Sequence, residues 1–144
     1  MRILVTSTYN YWGSFKPSDL RDPTSVAQIG GGETAMTNIA RELAAAGHEV
    51  LVFYNTERAG NYDGVDWLPR SQFVPIITSL EHDILVSWDD PHACRYCDRA
   101  KAHVLAFQLN DTYVTVFDAV IDRYFHPSQW HADRYLGLYP EISK

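Results

Sequence analysis

No stretch of this chain holds the roughly eighteen consecutive apolar residues that a membrane-spanning helix needs. Cationic charge is also scarce. Twelve Lys and Arg stand against 18 Asp and Glu, for a net charge of −6. That balance leaves no basic stripe to displace counterions from a nucleic acid, so nucleic acid is not an expected partner. Nor is there a basic amphipathic helix to lie on a bilayer. Met1-Arg2 leads directly into ILVTS, without the small-residue cleavage site of a secretory signal. The expected location is cytoplasmic, or peripheral at the inner membrane surface. Glycines occur at 30–32, but no Gly-Lys-Ser/Thr follows them, which excludes a P-loop.

What the chain does have is enough length for one domain with a full core, at 144 residues. A hydrophobic fraction of 46% and a charged fraction of 21% are ordinary for a globular protein. The most informative run is GGGETAMTNIARELAAAGHEVLVFY, residues 30–54. Three glycines let backbone approach a ligand closely. Met36, Ile39, Ala40 and Leu43 recur at helical spacing, so a helix is expected over about 33–46, with Arg41 and Glu42 toward its other face. Gly47 stands where a left-handed residue ends a helix. Val50 to Phe53 form a continuous apolar run, as in a strand covered on both faces. The free N–H groups and positive dipole end at the glycine turn suit a phosphate or carboxylate.

Further strands are expected over 3–6, 65–68, 83–87, 103–109 and 118–121. Helices are expected within 69–80, over 91–100, and over 130–138 with Ser128 as cap. Residues 56–63 read as loop. In 69–80, Phe73, Ile76, Ile77 and Leu80 supply the apolar face. Strands alternating with helices predict an α/β, Rossmann-like, doubly wound parallel sheet in one three-layer domain spanning 1–144. Ligands in such sheets bind beyond the carboxyl ends of the strands. The loops there are 8–29, 55–63, 88–91 and 110–116, rich in Tyr, Trp, Asn and Asp.

Gly30, Gly32 and Ala35 match the dinucleotide fingerprint in form only. In that motif the glycines follow the first strand at once, whereas here a long loop intervenes, and no acid ends the second strand at Tyr54-Asn55 to hold a ribose. A nucleotide-dependent oxidoreductase is therefore disfavoured. The long loop carries Tyr9, Tyr11, Trp12 and Phe15, which can stack on sugar faces or simply cover the sheet edge. Asp19, Arg21 and Asp22 can hydrogen-bond hydroxyls. Cys94 and Cys97 form a C-x-x-C. It reads either as a redox pair or half metal site completed by His92 and His103, or as two reduced thiols on a helix. The second reading is preferred, and no metal is expected. His126 and His131 read as structural or surface groups.

RILVTS, then GGGE opening a helix, then LAAAGHEVLVF resemble the N-terminal domain of GT-B fold glycosyltransferases of the glycosyltransferase 4 kind. HDILVSWDD, AHVLAFQLND and DAVIDRYFHPSQWHADRYLGLYP are similar to later segments of that family, in the same order. The resemblance implies the acceptor-side half of a GT-B fold. In it Gly30, Gly31, Gly32 and Glu33 would help hold the donor's phosphates, and Tyr11, Trp12, Asn110 and Asp111 would face the acceptor. The donor would be a nucleotide sugar and no cofactor would be needed. A donor-binding domain in the same or another chain would be the partner, because the chain ends at Lys144 where the linker to it would begin. Without that domain, the exposed interdomain face would favour self-association. Family members often place a histidine where this chain has Gln108-Leu109-Asn110-Asp111, so the resemblance implies no general base here. The alternative is a stand-alone carbohydrate- or phosphate-binding module without chemistry.

Overall fold

A computed structural model describes residues 1–7, 31–56, 59–98, 100–107 and 118–140. Seven strands form one sheet: β1 (Arg2–Ser7), β2 (Glu49–Tyr54), β3 (Gly60–Tyr62), β4 (Val65–Pro69), β5 (Ile84–Trp88), β6 (His103–Phe107) and β7 (Arg123–Phe125). Among the described residues, three α-helices accompany them: α1 (Gly31–Ala45), α2 (Phe73–Ser79) and α3 (Gln129–Leu138). The strand order is β3-β4-β2-β1-β5-β6-β7. All neighbours are parallel except β3 and β4. Leaving the edge strand β3 aside, the parallel strands follow the doubly wound order three-two-one-four-five-six. This is an α/β fold with a mostly parallel sheet, consistent with a Rossmann-like fold.

The sheet is covered on both faces because alternate side chains of each strand point to opposite sides. One face collects β-branched residues: Ile3, Val5, Val50, Val52, Val65 and Val86 pack with Met36 and Ala40 of α1. Wide, stiff side chains of this kind suit a pleated surface under a helix. The other face carries Leu4, Leu51, Phe53 and Leu85, packed against Phe73 and Ile77 of α2 and Tyr135 of α3. Phe53 and Phe73 meet edge to face, with ring centroids 5.4 Å apart.

Local chemistry fixes the helix ends. Gly47 adopts φ +87. Its N–H donates to the Ala44 carbonyl at 2.9 Å, and His48 N–H donates to Leu43 at 3.2 Å. That pair of bonds is the Schellman stop, which turns the chain straight into β2. Pro75 is tolerated in the first turn of α2. Ser128 Oγ accepts from His131 N–H and caps α3.

Three elements differ from the sequence reading. Residues 56–63 contain β3, which pairs antiparallel with β4 through Asp63 and Gly64, at φ 59 and 79. Two successive positive φ values make the hairpin turn that Asp-Gly favours. Residues 118–121 are not the last strand. Asp118–Val120 is a 3₁₀ turn, and Ile121 is a wholly buried plug of the core. The strand is β7, an edge strand with Arg123 and Phe125 exposed, so it carries no apolar run. Helix 91–100 is instead a 3₁₀ turn over Pro91–Tyr96.

Candidate functional site

The chain winds outward from β1 to β2 and β4, then returns to the far side of β1 to lay down β5. The switch point therefore lies between the carboxyl ends of β1 and β5, where Ser7 pairs with Trp88. Crevices open at such points because the two connections leave in opposite directions.

The glycine end of α1 enters this edge. Gly31 is the first residue of α1, and among the described residues a Cβ built there would meet nothing within 4 Å beyond its chain neighbours and its own helix backbone. Two residues on, Glu33 accepts a hydrogen bond from the hydroxyl of Tyr54 at 3.0 Å. Tyr54 is the last residue of β2 and is 2% exposed. Burial chiefly, and then the Glu33 carboxylate beside it, push its phenol well above the ordinary range. Tyr54 thus stays protonated and donates, locking the first turn of α1 to the end of β2. An acidic side chain in a first turn also favours the helix dipole.

The opposite lip is built by the residues after β5. Asp89 adopts φ +50, a left-handed conformation that Asp tolerates better than most residues. The Ser87 hydroxyl donates to the Asp90 carbonyl and closes this turn. Asp90 itself is wholly buried. Its carboxylate accepts from Ala93 N–H at 3.2 Å, capping the 3₁₀ turn, and lies 2.6 Å from Arg70, which directly follows β4. Arg70 in turn lies over the Phe73 ring at 4.6 Å. Burial raises the Asp90 carboxyl despite the Arg70 charge, which acts the other way. One ion pair so ties the end of β4 to the end of β5 across the switch point. Thr6, at the same end of β1, is fully buried with no hydrogen-bond partner for Oγ1 among the described residues.

Of the expected site residues, Gly31, Gly32 and Glu33 lie together at this edge. Gly30, Tyr11, Trp12, Asn110 and Asp111 lie outside the described residues. Arg70, Tyr54 and Asp90 were missed as participants. Asp90 carried the one usable signal, an acid directly before Pro91, which marks a helical cap.

The cysteines are not assembled with His92 and His103. His92 lies against Arg95, and His103 is exposed beside Asp122. Among the described residues no group of three or more His, Cys, Asp or Glu is placed to hold a metal ion. His126 and His131 face each other with Nδ1 atoms 3.0 Å apart, and His126 packs on Tyr135. Outside the core, Trp130, Leu136, Leu138 and Phe125 are exposed around α3. No helix among the described residues is long and apolar enough to cross a membrane.

A cavity of about 630 Å³ lies at the other end of the sheet, lined by Arg2, Glu49, Glu81, His82, Asp83 and Lys101 among others. The switch-point edge is the better ligand site by topology and backbone chemistry, since strand order and a glycine helix start both point there. No family model, curated protein or solved structure matches this chain.

Proposed function

We propose that the chain is the acceptor-side half of a GT-B glycosyltransferase, which moves a sugar from a nucleotide sugar to an acceptor hydroxyl. The observation that carries this reading is the glycine start of α1 at the carboxyl edge, open at Gly31 and pinned through Glu33 to Tyr54. The N–H groups of Gly31 and Gly32 face a diphosphate in this role. Glu33 is held by Tyr54, so it fixes the turn rather than meeting phosphate oxygens of its own sign. Catalysis then rests on positioning and on stabilising the leaving diphosphate. A donor-binding domain supplies the rest of the nucleotide site.

Calorimetric titration with UDP-glucose and with inorganic pyrophosphate tests this. A Cβ at Gly31 meets no atom of the other described residues within 4 Å beyond its chain neighbours and its own helix backbone, so Gly31→Val is expected to keep the fold while filling the phosphate's place. The expected result is binding to the wild-type chain that weakens at least about tenfold in Gly31→Val, with the melting temperature unchanged. Equal binding by both proteins, or binding of neither probe, would overturn the assignment.

A further inference from the structure

His82 precedes β5 at the amino end of the sheet, and it is 7% exposed. The Leu80 carbonyl lies 3.0 Å from its Nδ1. A carbonyl only accepts, so Nδ1 carries the ring proton and Nε2 is left as an acceptor. Sγ of Cys97 lies 3.8 Å from that Nε2. The thiol therefore lies between this base, whose tautomer is fixed by a backbone carbonyl, and the Ala102 carbonyl 4.0 Å away, to which it also donates. Nucleophile, base and orienting group are the three parts that an activated thiol needs.

The surroundings admit a reactant. Cys97 is half-buried, just past the 3₁₀ turn Pro91–Tyr96. His82 and the two neighbours of Cys97 in the chain, Tyr96 and Asp98, bound a cavity of about 210 Å³ together with Leu80 and Lys101. His82 and Lys101 also line the open cavity at the amino edge. None of this depends on the proposed sugar transfer at the other end of the strands.

We propose that Cys97, with His82 as its base, is a thiol–disulfide exchange site that takes small disulfides from this cavity as mixed disulfides. His82 Nε2 removes the thiol proton, and the Cys97 thiolate attacks one sulfur of the incoming disulfide. The old S–S bond breaks as the new one forms. The departing thiolate takes the proton back from the imidazolium. The incoming disulfide is the oxidant, the Cys97 sulfur is oxidised, and one small thiol is released.

Cys94 has a different part. It is fully buried, and burial chiefly pushes its thiol up to about 12. A thiol held protonated does not attack the adduct on Cys97. The mixed disulfide therefore persists instead of resolving into a Cys94–Cys97 disulfide. This separates the motif from the redox pair that C-x-x-C usually signals.

The test is intact-mass spectrometry with peptide mapping, using bis(2-hydroxyethyl) disulfide on the native chain. The expected product is a single adduct on Cys97, stable in excess disulfide and absent from Cys97→Ser. Its formation should be about five- to tenfold faster than in His82→Gln, from the gain in thiolate fraction. Because His82 is buried, a second comparison avoids the variant. Cys97 in the native protein should react faster than Cys97 in the same chain unfolded in urea. Equal or slower native reaction would overturn the proposal, as would first modification at Cys94 or a Cys94–Cys97 disulfide as end product.

Discussion

At the amino end of the sheet Arg2 lies 2.9 Å from Glu49 with both side chains partly in water, whereas at the carboxyl end Asp90 is wholly buried with Arg70 at 2.6 Å. The Arg2 contact is an ion pair without hydrogen-bond geometry at Nε. Arg2 also reaches the Glu81 carbonyl, and its backbone N–H reaches the Asp83 carboxylate. These charges staple the starts of β1, β2 and β5 from outside. Water solvates them if they part, so each contributes little. The carboxyl end instead commits a carboxylate to the interior, where losing its partner is costly. The edge facing the switch point is thus tied from within by a buried ion pair. That is the arrangement expected of a binding edge.

Removing Arg70 breaks this contrast most severely. Arg70→Ala should cost about 3 kcal/mol in chemical denaturation, because Asp90 is left buried without its cation. Arg2→Ala should cost no more than about 1 kcal/mol. Similar losses for the two would erase the distinction between the ends. Asp90 also gives a pH signature. Its folded pKa is raised, so its contribution is complete below the unfolded value and is lost as pH rises through the folded one. Asp90→Asn should flatten that part of the stability profile.

A smaller loss is expected at Tyr54. Tyr54→Phe removes the donor to the Glu33 carboxylate and should cost about 1.5 kcal/mol, in the range of bonds to charged groups. It should also weaken pyrophosphate binding at the α1 turn. A fall in stability alone would make the contact purely structural.

Thr6→Val should do the reverse, adding about 1 kcal/mol, because a buried hydroxyl without a partner among the described residues is replaced by a methyl of similar size. A loss of stability on that change would mean that Thr6 Oγ1 is satisfied in solution.

The smallest effect is expected beyond β7. Burial, and then the neighbouring His131, lower the pKa of His126 below 6.5. The neutral ring is the folded form, so stability is complete above the unfolded pKa and declines as pH falls from there toward the folded one. Melting curves on either side of pH 6.5 should show the decline in wild type and less of it in His131→Gln.

The parts legible in the sequence were those written locally. The Gly47 stop, the apolar period of α1 and the continuous strand β2 all lie within one stretch of chain. The Asp63-Gly64 hairpin was equally local, but its first strand, β3, is only three residues long with no apolar run, so turn chemistry was the only signal for it. β7 was hidden because an exposed edge strand needs no apolar run, while the apolar residues before it plug the core. Arg70 with Asp90, Tyr54 with Glu33, and His82 with Cys97 were not legible. Each pair joins residues fifteen or more apart, and only the strand order brings them together.

Mapping backbone amide shifts by NMR during a pyrophosphate titration tests the assignment of the two ends most directly. The account predicts that the largest shifts fall on Gly31, Gly32 and Glu33 and on the last residues of β1, β2 and β5. Shifts centred on Arg2, Glu49, Asp83 and Lys101 would place the anion in the amino-edge cavity and contradict it.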